Sequence, residues 1–214
     1  MQQFVTDRRF QLFETILNNR TRYITVVLED IFQPHNASAV LRSCECFGIQ
    51  DVHIIENRNK YRINPDVALG AYKWLSLFKY NQNPDNTLTA IGLLRKQGYR
   101  IIATTPGKND CTLDNFDLLK GKIALLFGSE LDGLSPAALE AADEYVQIPM
   151  TGFTESLNIS VSAAIFIHHL TGKLRHSTIN WQLSDEEKQL IKLIWLKNTI
   201  RKSDIIEKKF LENK

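Results

Sequence analysis

Lys122-Ile-Ala-Leu-Leu-Phe127, continuing into Gly128-Ser-Glu-Leu-Asp-Gly-Leu-Ser135 and Pro136, decides how this chain folds. After Lys122, Ile123 to Phe127 form an apolar run of strand length. Such a run, ended by glycine, reads as a strand buried on both faces. Ser135 followed by Pro136 opens a short helix, because the first helical position needs no N–H from its residue. A buried strand that turns through glycine into a helix is one unit of an α/β sheet, and similar units lie on either side of it.

Toward the amino end, a helix over about Thr87 to Gln97, stopped by Gly98, leads into a strand at Arg100–Thr104. Earlier strands are expected at Leu75–Tyr80, Val52–Ile55 and Ile24–Leu28. Asn36 is placed to cap a helix that runs to Phe47 and stops at Gly48. Phe10, Phe13, Ile16 and Leu17 have helical spacing, which predicts an amphipathic helix over 7–18. Toward the carboxyl end come a strand at Tyr145–Ile148, an irregular loop, a helix from Asn158 to Thr171 and a linker over 175–183. Ser184-Asp-Glu-Glu187 is a capping box that opens a long final helix, with Leu190, Leu193, Ile194 and Ile205 on its expected apolar side. Strands alternating with helices imply an α/β fold with a largely parallel sheet covered on both faces. Ligands of such sheets bind beyond the carboxyl ends of the strands. The segments after Thr104, Phe127 and Ile148 are therefore where a site is expected.

The chain has 214 residues and 43% hydrophobic content, enough for one core with appendages. No apolar leader and no run of 18 apolar residues is seen, so neither secretion nor membrane insertion is expected, and the expected compartment is the cytoplasm. Cys44 and Cys46 would lie about 200° apart around a helix, which does not suit a shared metal. With Cys111 they read as reduced thiols, and no metal is expected. The net charge of +2 says little, but its distribution says more. Residues 1–22 carry four arginines against Asp7 and Glu14; residues 170–214 carry ten basic residues against six acids; the middle carries 12 basic and 16 acidic residues. An acidic body with basic ends fits segments that grip a polyanion, although lysine-rich terminal helices can also be plain solvated faces.

Familiar nucleotide and hydrolase motifs are missing. No G-x-G-x-x-G follows a strand. The loop 128–135 has the glycines of a phosphate loop, but Leu134 stands where a lysine is needed, and Glu130 and Asp132 would repel phosphate. The histidines form no H-E-x-x-H, and no G-x-S-x-G elbow is present. Three polar clusters at strand–helix junctions remain: His35-Asn-Ala-Ser-Ala-Val-Leu-Arg42, Leu126 to Ser135, and Ile148-Pro-Met-Thr-Gly-Phe-Thr-Glu-Ser-Leu-Asn-Ile-Ser160.

In order and spacing, Asn36…Arg42, Gly128-x-Glu130-x-x-Gly133-Leu-Ser and Ile148-Pro-Met…Ser156-Leu-Asn158 resemble motifs one, two and three of the SpoU/TrmH ribose methyltransferases of the SPOUT superfamily. The resemblance covers about residues 24–172. Short extensions at both ends and Ala71-Tyr-Lys-Trp-Leu75 are similar to the tRNA branch of that family. It implies a SPOUT α/β fold with a trefoil knot, which ordinary topology rules would argue against. It also implies a homodimer with S-adenosylmethionine bound near the subunit interface. The implied domains are an N-terminal extension 1–22, a methyltransferase domain 23–174 and a C-terminal extension 175–214. The implied reaction is methyl transfer to a ribose 2′-hydroxyl of tRNA, at guanosine 18 of the D-loop. Ribosomal RNA as substrate, or a non-catalytic RNA-binding protein of the same fold, are the alternatives.

The same resemblance assigns roles. Arg42 activates the 2′-hydroxyl, either as a base or as a cation that stabilises the alkoxide. Asn36 orients Arg42 or the ribose, or is a plain helix cap. Glu130 is held by backbone donors at the glycine turn. Ser156 and Asn158 belong to the active site or cap the last core helix. Thr104, Gly128, Ile148 and Leu157 contact the cofactor through their backbone. The candidates for RNA phosphate are Arg8, Arg9, Arg20, Arg22, Arg175, Arg201 and Lys202.

Overall fold

A computed structural model describes residues 1–106 and 111–212. These divide into two compact units: residues 22–181, and the terminal segments that precede and follow them.

In the larger unit the strands are β1 (Ile24–Glu29), β2 (Asp51–Ile55), β3 (Ser76–Tyr80), β4 (Arg100–Thr104), β5 (Cys111–Thr112), β6 (Ile123–Phe127) and β7 (Glu144–Gln147). They form one sheet in the order β3-β2-β1-β6-β4-β7-β5, and all its ladders are parallel. The quoted strand β6 lies at the centre between β1 and β4, and all five of its residues are buried. Continuous burial is what a parallel strand covered on both faces requires. Helices α2 (Pro34–Cys46) and α6 (Ile159–Arg175) contribute to the core on one face; α4 (Asn86–Lys96) and α5 (Pro136–Glu140) contribute on the other. A four-residue helix α3 (Pro65–Ala68) lies between β2 and β3.

Val146 of β7 pairs with Thr104 on one edge and Cys111 on the other. The last strand is thus enclosed by two strands that precede it in the chain. The segment leaving it shares one cavity with the residues following β4 and β6. β5 was missed in the sequence because two residues carry no period.

In the smaller unit α1 (Asp7–Leu17) is capped by the Thr6 hydroxyl, and α7 (Asp185–Thr199) by the expected Ser184–Glu187 capping box. The long final helix is instead two helices. Ile200 is extended, Lys202 takes φ +60°, and α8 (Ser203–Glu212) starts anew. The expected apolar side is also wrong: Leu190, Leu193, Ile194 and Ile205 are exposed, while Ile191, Trp195 and Leu196 are buried. Both stripes have helical spacing, and the one carrying the largest apolar side chain is buried. Trp195 meets the Phe13 ring edge-on at 5.5 Å. Among the described residues, no helix is long and apolar enough to cross a membrane, and no group of three or more His, Cys, Asp or Glu could hold a metal.

Candidate active site at the carboxyl end of the sheet

The helix that carries the first polar cluster begins three residues earlier than expected. Gln33 is its N-cap and Pro34 its first residue, so Asn36 lies inside the first turn, and its role as a helix cap is ruled out. Its side chain is buried and bridges two other loops. Nδ2 donates to Glu130 Oε1 at 2.7 Å, and Oδ1 accepts from Asn158 Nδ2 at 3.2 Å. A buried amide left unpaired would cost about 1–3 kcal/mol, so these partners fix its orientation. Glu130 Oε2 also accepts from the Phe32 N–H at 3.3 Å. Glu130 is therefore held from the start of α2, not by backbone donors of its own glycine turn. Asn158 Oδ1 accepts from the N–H and hydroxyl of Ser160, so it caps α6 while its amide reaches Asn36. All three sequence clusters meet in this one chain of hydrogen bonds.

Beside it lies a cavity of about 690 Å³. Thr104, Gly128, Ile148 and Leu157 all line it, as do Glu130, Ser156 and Asn158. The volume is in the range of about 300–1,000 Å³ typical of small-molecule sites. Phe127, Val146 and Phe166 supply apolar wall, and Asp132 and Glu155 add carboxylates to Glu130. The Thr104 hydroxyl donates to the Leu126 carbonyl at 2.6 Å, which ties β4 to β6 below the cavity. Gly128 is required by close approach. A Cβ there would stand 2.1 Å from the Gly133 carbonyl carbon. The reason is a tight loop: the Ser129 and Gly133 backbones exchange two hydrogen bonds, at 2.9 and 3.0 Å, and Gly133 takes φ +70°. Glu130, Leu131 and Asp132 project from its tip.

Arg42 is exposed on α2 and does not line the cavity of its own chain. Among the described residues its guanidinium has no hydrogen-bond or carboxylate partner, so it is not a structural arginine locked in an ion pair. Ser156 lines the cavity as an exposed side chain and does not cap α6.

Two carboxylates at the end of β1 went unread. Glu29 is buried: its Oε1 accepts from the hydroxyls of Thr87 and Ser135, at 2.5 and 2.7 Å, and its Oε2 from the Ser135 N–H at 2.9 Å. It thereby anchors the end of the second cluster. Asp30, at φ +51°, accepts three consecutive backbone N–H groups, of Asn57, Arg58 and Asn59, at 2.7, 2.8 and 3.2 Å. The available signal was an acidic pair directly after a buried strand, where ligand sites of parallel sheets form.

Of the phosphate candidates, Arg8, Arg9, Arg175, Arg201 and Lys202 are exposed, and Arg175 also donates to the Phe47 carbonyl at 2.8 Å. Arg20 is corrected: it is 1% exposed and lies over the Trp195 ring at 5.4 Å, where no phosphate can reach it. Arg22 is engaged as well, its Nε 2.9 Å from the Asp51 carboxylate.

The SpoU rRNA Methylase family model matches residues 23–168. The tRNA (guanosine(18)-2'-O)-methyltransferase of Borreliella burgdorferi is 44% identical over 207 residues, 97% of this chain and 93% of that protein. The protein of the same name from Thermus thermophilus is 33% identical over 162 residues, covering 76% and 81%. The crystal structure of the A. aeolicus TrmH/SpoU tRNA modifying enzyme superposes with a TM-score of 0.78 at 27% identity, covering 91% of this chain and 98% of that one. By its three joined clusters, its sheet and the extent of these matches, the chain belongs to the SpoU methylase family.

Proposed function

We propose that this chain transfers a methyl group from S-adenosylmethionine to the ribose 2′-oxygen of guanosine 18 in the D-loop of tRNA. The observation that carries the reading is the meeting of Asn36, Glu130 and Asn158 at the mouth of the 690 Å³ cavity. The match to relatives named for that reaction, which extends over the terminal helices as well as the sheet, supports tRNA over ribosomal RNA.

The cavity fits the cofactor. Its lining is apolar at Ile148 and Leu157, open to backbone at Thr104 and Gly128, and acidic at Glu130, Asp132 and Glu155. Such a lining favours a flat base and a positively charged group and disfavours phosphate. When bound, S-adenosylmethionine supplies a methyl group made electrophilic by its sulfonium. The protein's task is to present the hydroxyl oxygen and stabilise the charge that develops on it. Ser156 and Asn158 hold the ribose, and Glu130 through Asn36 keeps the Asn158 amide aimed. A guanidinium remains cationic across the working pH range, so Arg42 acts as the cation that stabilises the alkoxide. Because Arg42 lies outside the cavity of its own chain, the working unit is a homodimer in which a second copy's α2 brings the same arginine to the site. Segments 1–22 and 175–214 hold the RNA through Arg8, Arg9, Arg175, Arg201 and Lys202, and segment 23–174 carries the chemistry. The cytoplasm is the compartment where tRNA is met.

The test is incubation with labelled S-adenosylmethionine and unmodified tRNA, then nuclease digestion and mass spectrometry of the nucleosides. A 2′-O-methylguanosine peak that disappears with Arg42→Ala is expected, with fragment mapping to position 18. Labelling of ribosomal RNA alone would move the substrate. Failure to bind cofactor or label any RNA would leave a non-catalytic RNA-binding protein.

A further inference from the structure

The loop tip 130–132 lies between two cavities, and the proposed function assigns the cofactor to the first. The second, about 210 Å³, is lined by Asp30, Phe32, Arg58, Asn59, Ser129, Leu131 and Asp132. It shares Ser129, Leu131 and Asp132 with the cofactor cavity, so its contents lie next to the reacting ribose. Two of its side chains are apolar and out in solvent: Phe32 is 65% exposed and Leu131 91%. Phe32 is fixed beside the machinery, because its N–H is the donor to Glu130 Oε2. An exposed aromatic ring next to a nucleotide site is a stacking surface for a base.

The charged groups of this cleft are sorted by their partners. Asp30 Oδ1 is occupied by the three backbone N–H groups described above, and Asp30 Oδ2 lies 3.9 Å from Arg58 Nε. Asp132 and Arg58 are both about two-thirds exposed, and they meet each other at 3.4 Å between Arg58 Nη1 and Asp132 Oδ2. An ion pair this exposed contributes little, so both heads are available to a ligand. An acceptor and a donor fork side by side match one base edge. Guanine presents two donors, N1–H and the exocyclic amine, directly followed by two acceptors, O6 and N7. Adenine presents the reverse polarity at its N1 and N6 and would meet the carboxylate with a lone pair.

We infer that this cleft reads the guanine of the nucleotide being methylated, with Phe32 and Leu131 against its face, Asp132 accepting from N1–H and the amine, and Arg58 donating to O6 and N7. Lys60 and Arg62, exposed just beyond Arg58, add positive charge for the adjoining phosphates. The inference rests on the methyltransferase reading and adds to it the residues that choose the base.

The test uses two tRNA transcripts that differ only at the target, one with guanine and one with inosine, which lacks the amine and keeps N1–H. Single-turnover methylation is measured at saturating S-adenosylmethionine, so a change in cofactor affinity does not enter the ratio. The wild-type chain is expected to prefer guanine by roughly fivefold or more, the discrimination of one well-placed contact. Asp132→Asn is expected to slow guanine methylation and bring the ratio close to one. A wild-type ratio near one, or an unchanged ratio in Asp132→Asn, overturns the inference while leaving the methyltransferase reading in place. Absence of methylation on both transcripts and on native tRNA would remove that reading, and this one with it.

Discussion

Asn36 Nδ2 donates to Glu130 Oε1 at 2.7 Å, joining the first turn of α2 to the loop after β6 across 94 residues of sequence. The amide stands between a carboxylate that only accepts and an asparagine that donates to it, so its two ends cannot be exchanged without losing both bonds. Asn36→Asp keeps the size but turns a carboxylate toward a carboxylate. It should therefore do more harm than Asn36→Ala, which leaves Glu130 its bond from the Phe32 N–H. Hydrogen bonds to charged groups contribute about 1.5–3 kcal/mol, and a loss of that size lowers the melting temperature by several degrees in a chain of this length. Thermal melts and single-turnover rates on the two variants check the order. Asn36→Asp indistinguishable from wild type would mean that the bridge has no function.

Gly128 offers a sharper contrast, because close approach to the Gly133–Leu134 backbone makes it necessary. Gly128→Ala puts a methyl group 2.1 Å from backbone that is itself tied by two hydrogen bonds. The loop must open, at a cost of about 1–3 kcal/mol, and the cofactor cavity opens with it. Cofactor affinity by calorimetry is expected to fall at least tenfold. Gly152→Ala, where the added Cβ meets nothing nearer than 4.0 Å, is expected to change neither stability nor affinity.

Strands β1, β2 and β6, mostly apolar and buried at every position, were legible in the sequence because burial on both faces needs no register to be guessed. The order of those strands was not, since ladders between distant segments leave no local trace; β7 lies between β4 and β5 only because of how the whole chain closes. The three clusters could be located, and family resemblance supplied their roles. The bonds that join them, Asn36 to Glu130 and to Asn158, span 94 and 122 residues and had no sequence signal. Arg20 and the α7 stripe failed for one reason. Charge and helical spacing both admit two faces, and Trp195 decided which was buried. The acidic pair Glu29 and Asp30 carries no motif, because both carboxylates hold loops that are distant in sequence.

His53 gives the fold a dependence on acid. Its ring is stacked on Phe78 at 4.8 Å, and Nδ1 lies 2.8 Å from the Tyr80 hydroxyl. Burial disfavours the imidazolium and pulls its pKa down to about 4. The folded state therefore binds this proton more weakly than the unfolded chain, whose value is near 6.5. The stability this ring contributes is complete above pH 6.5 and is lost as the pH falls toward 4, amounting to about 2 kcal/mol by pH 5. Urea unfolding at pH 7 and pH 5 should show the loss in the wild type and a smaller one in His53→Phe, which has no proton to gain. Equal losses in both would assign the acid sensitivity to carboxylates.

The terminal segments carry the last prediction, which separates arginines that touch RNA from one that holds the fold. Arg8 and Arg9 are exposed side by side in the first turn of α1, while Arg20 lies across the Trp195 ring with 1% of its surface exposed. Each phosphate contact releases counterions and adds about 0.7–0.9 to the slope of log affinity against log salt. Replacing Arg8 and Arg9 with alanine is expected to weaken tRNA binding and reduce that slope by roughly one to two. Arg20→Ala is expected to leave the slope where it was and lower the melting temperature, because its loss uncovers an aromatic ring and no phosphate. Filter binding over a range of salt, with a thermal melt on each variant, reads both effects. A slope that falls for Arg20→Ala and stays constant for the Arg8, Arg9 pair would reverse the assignment, placing the RNA on the face that Trp195 closes.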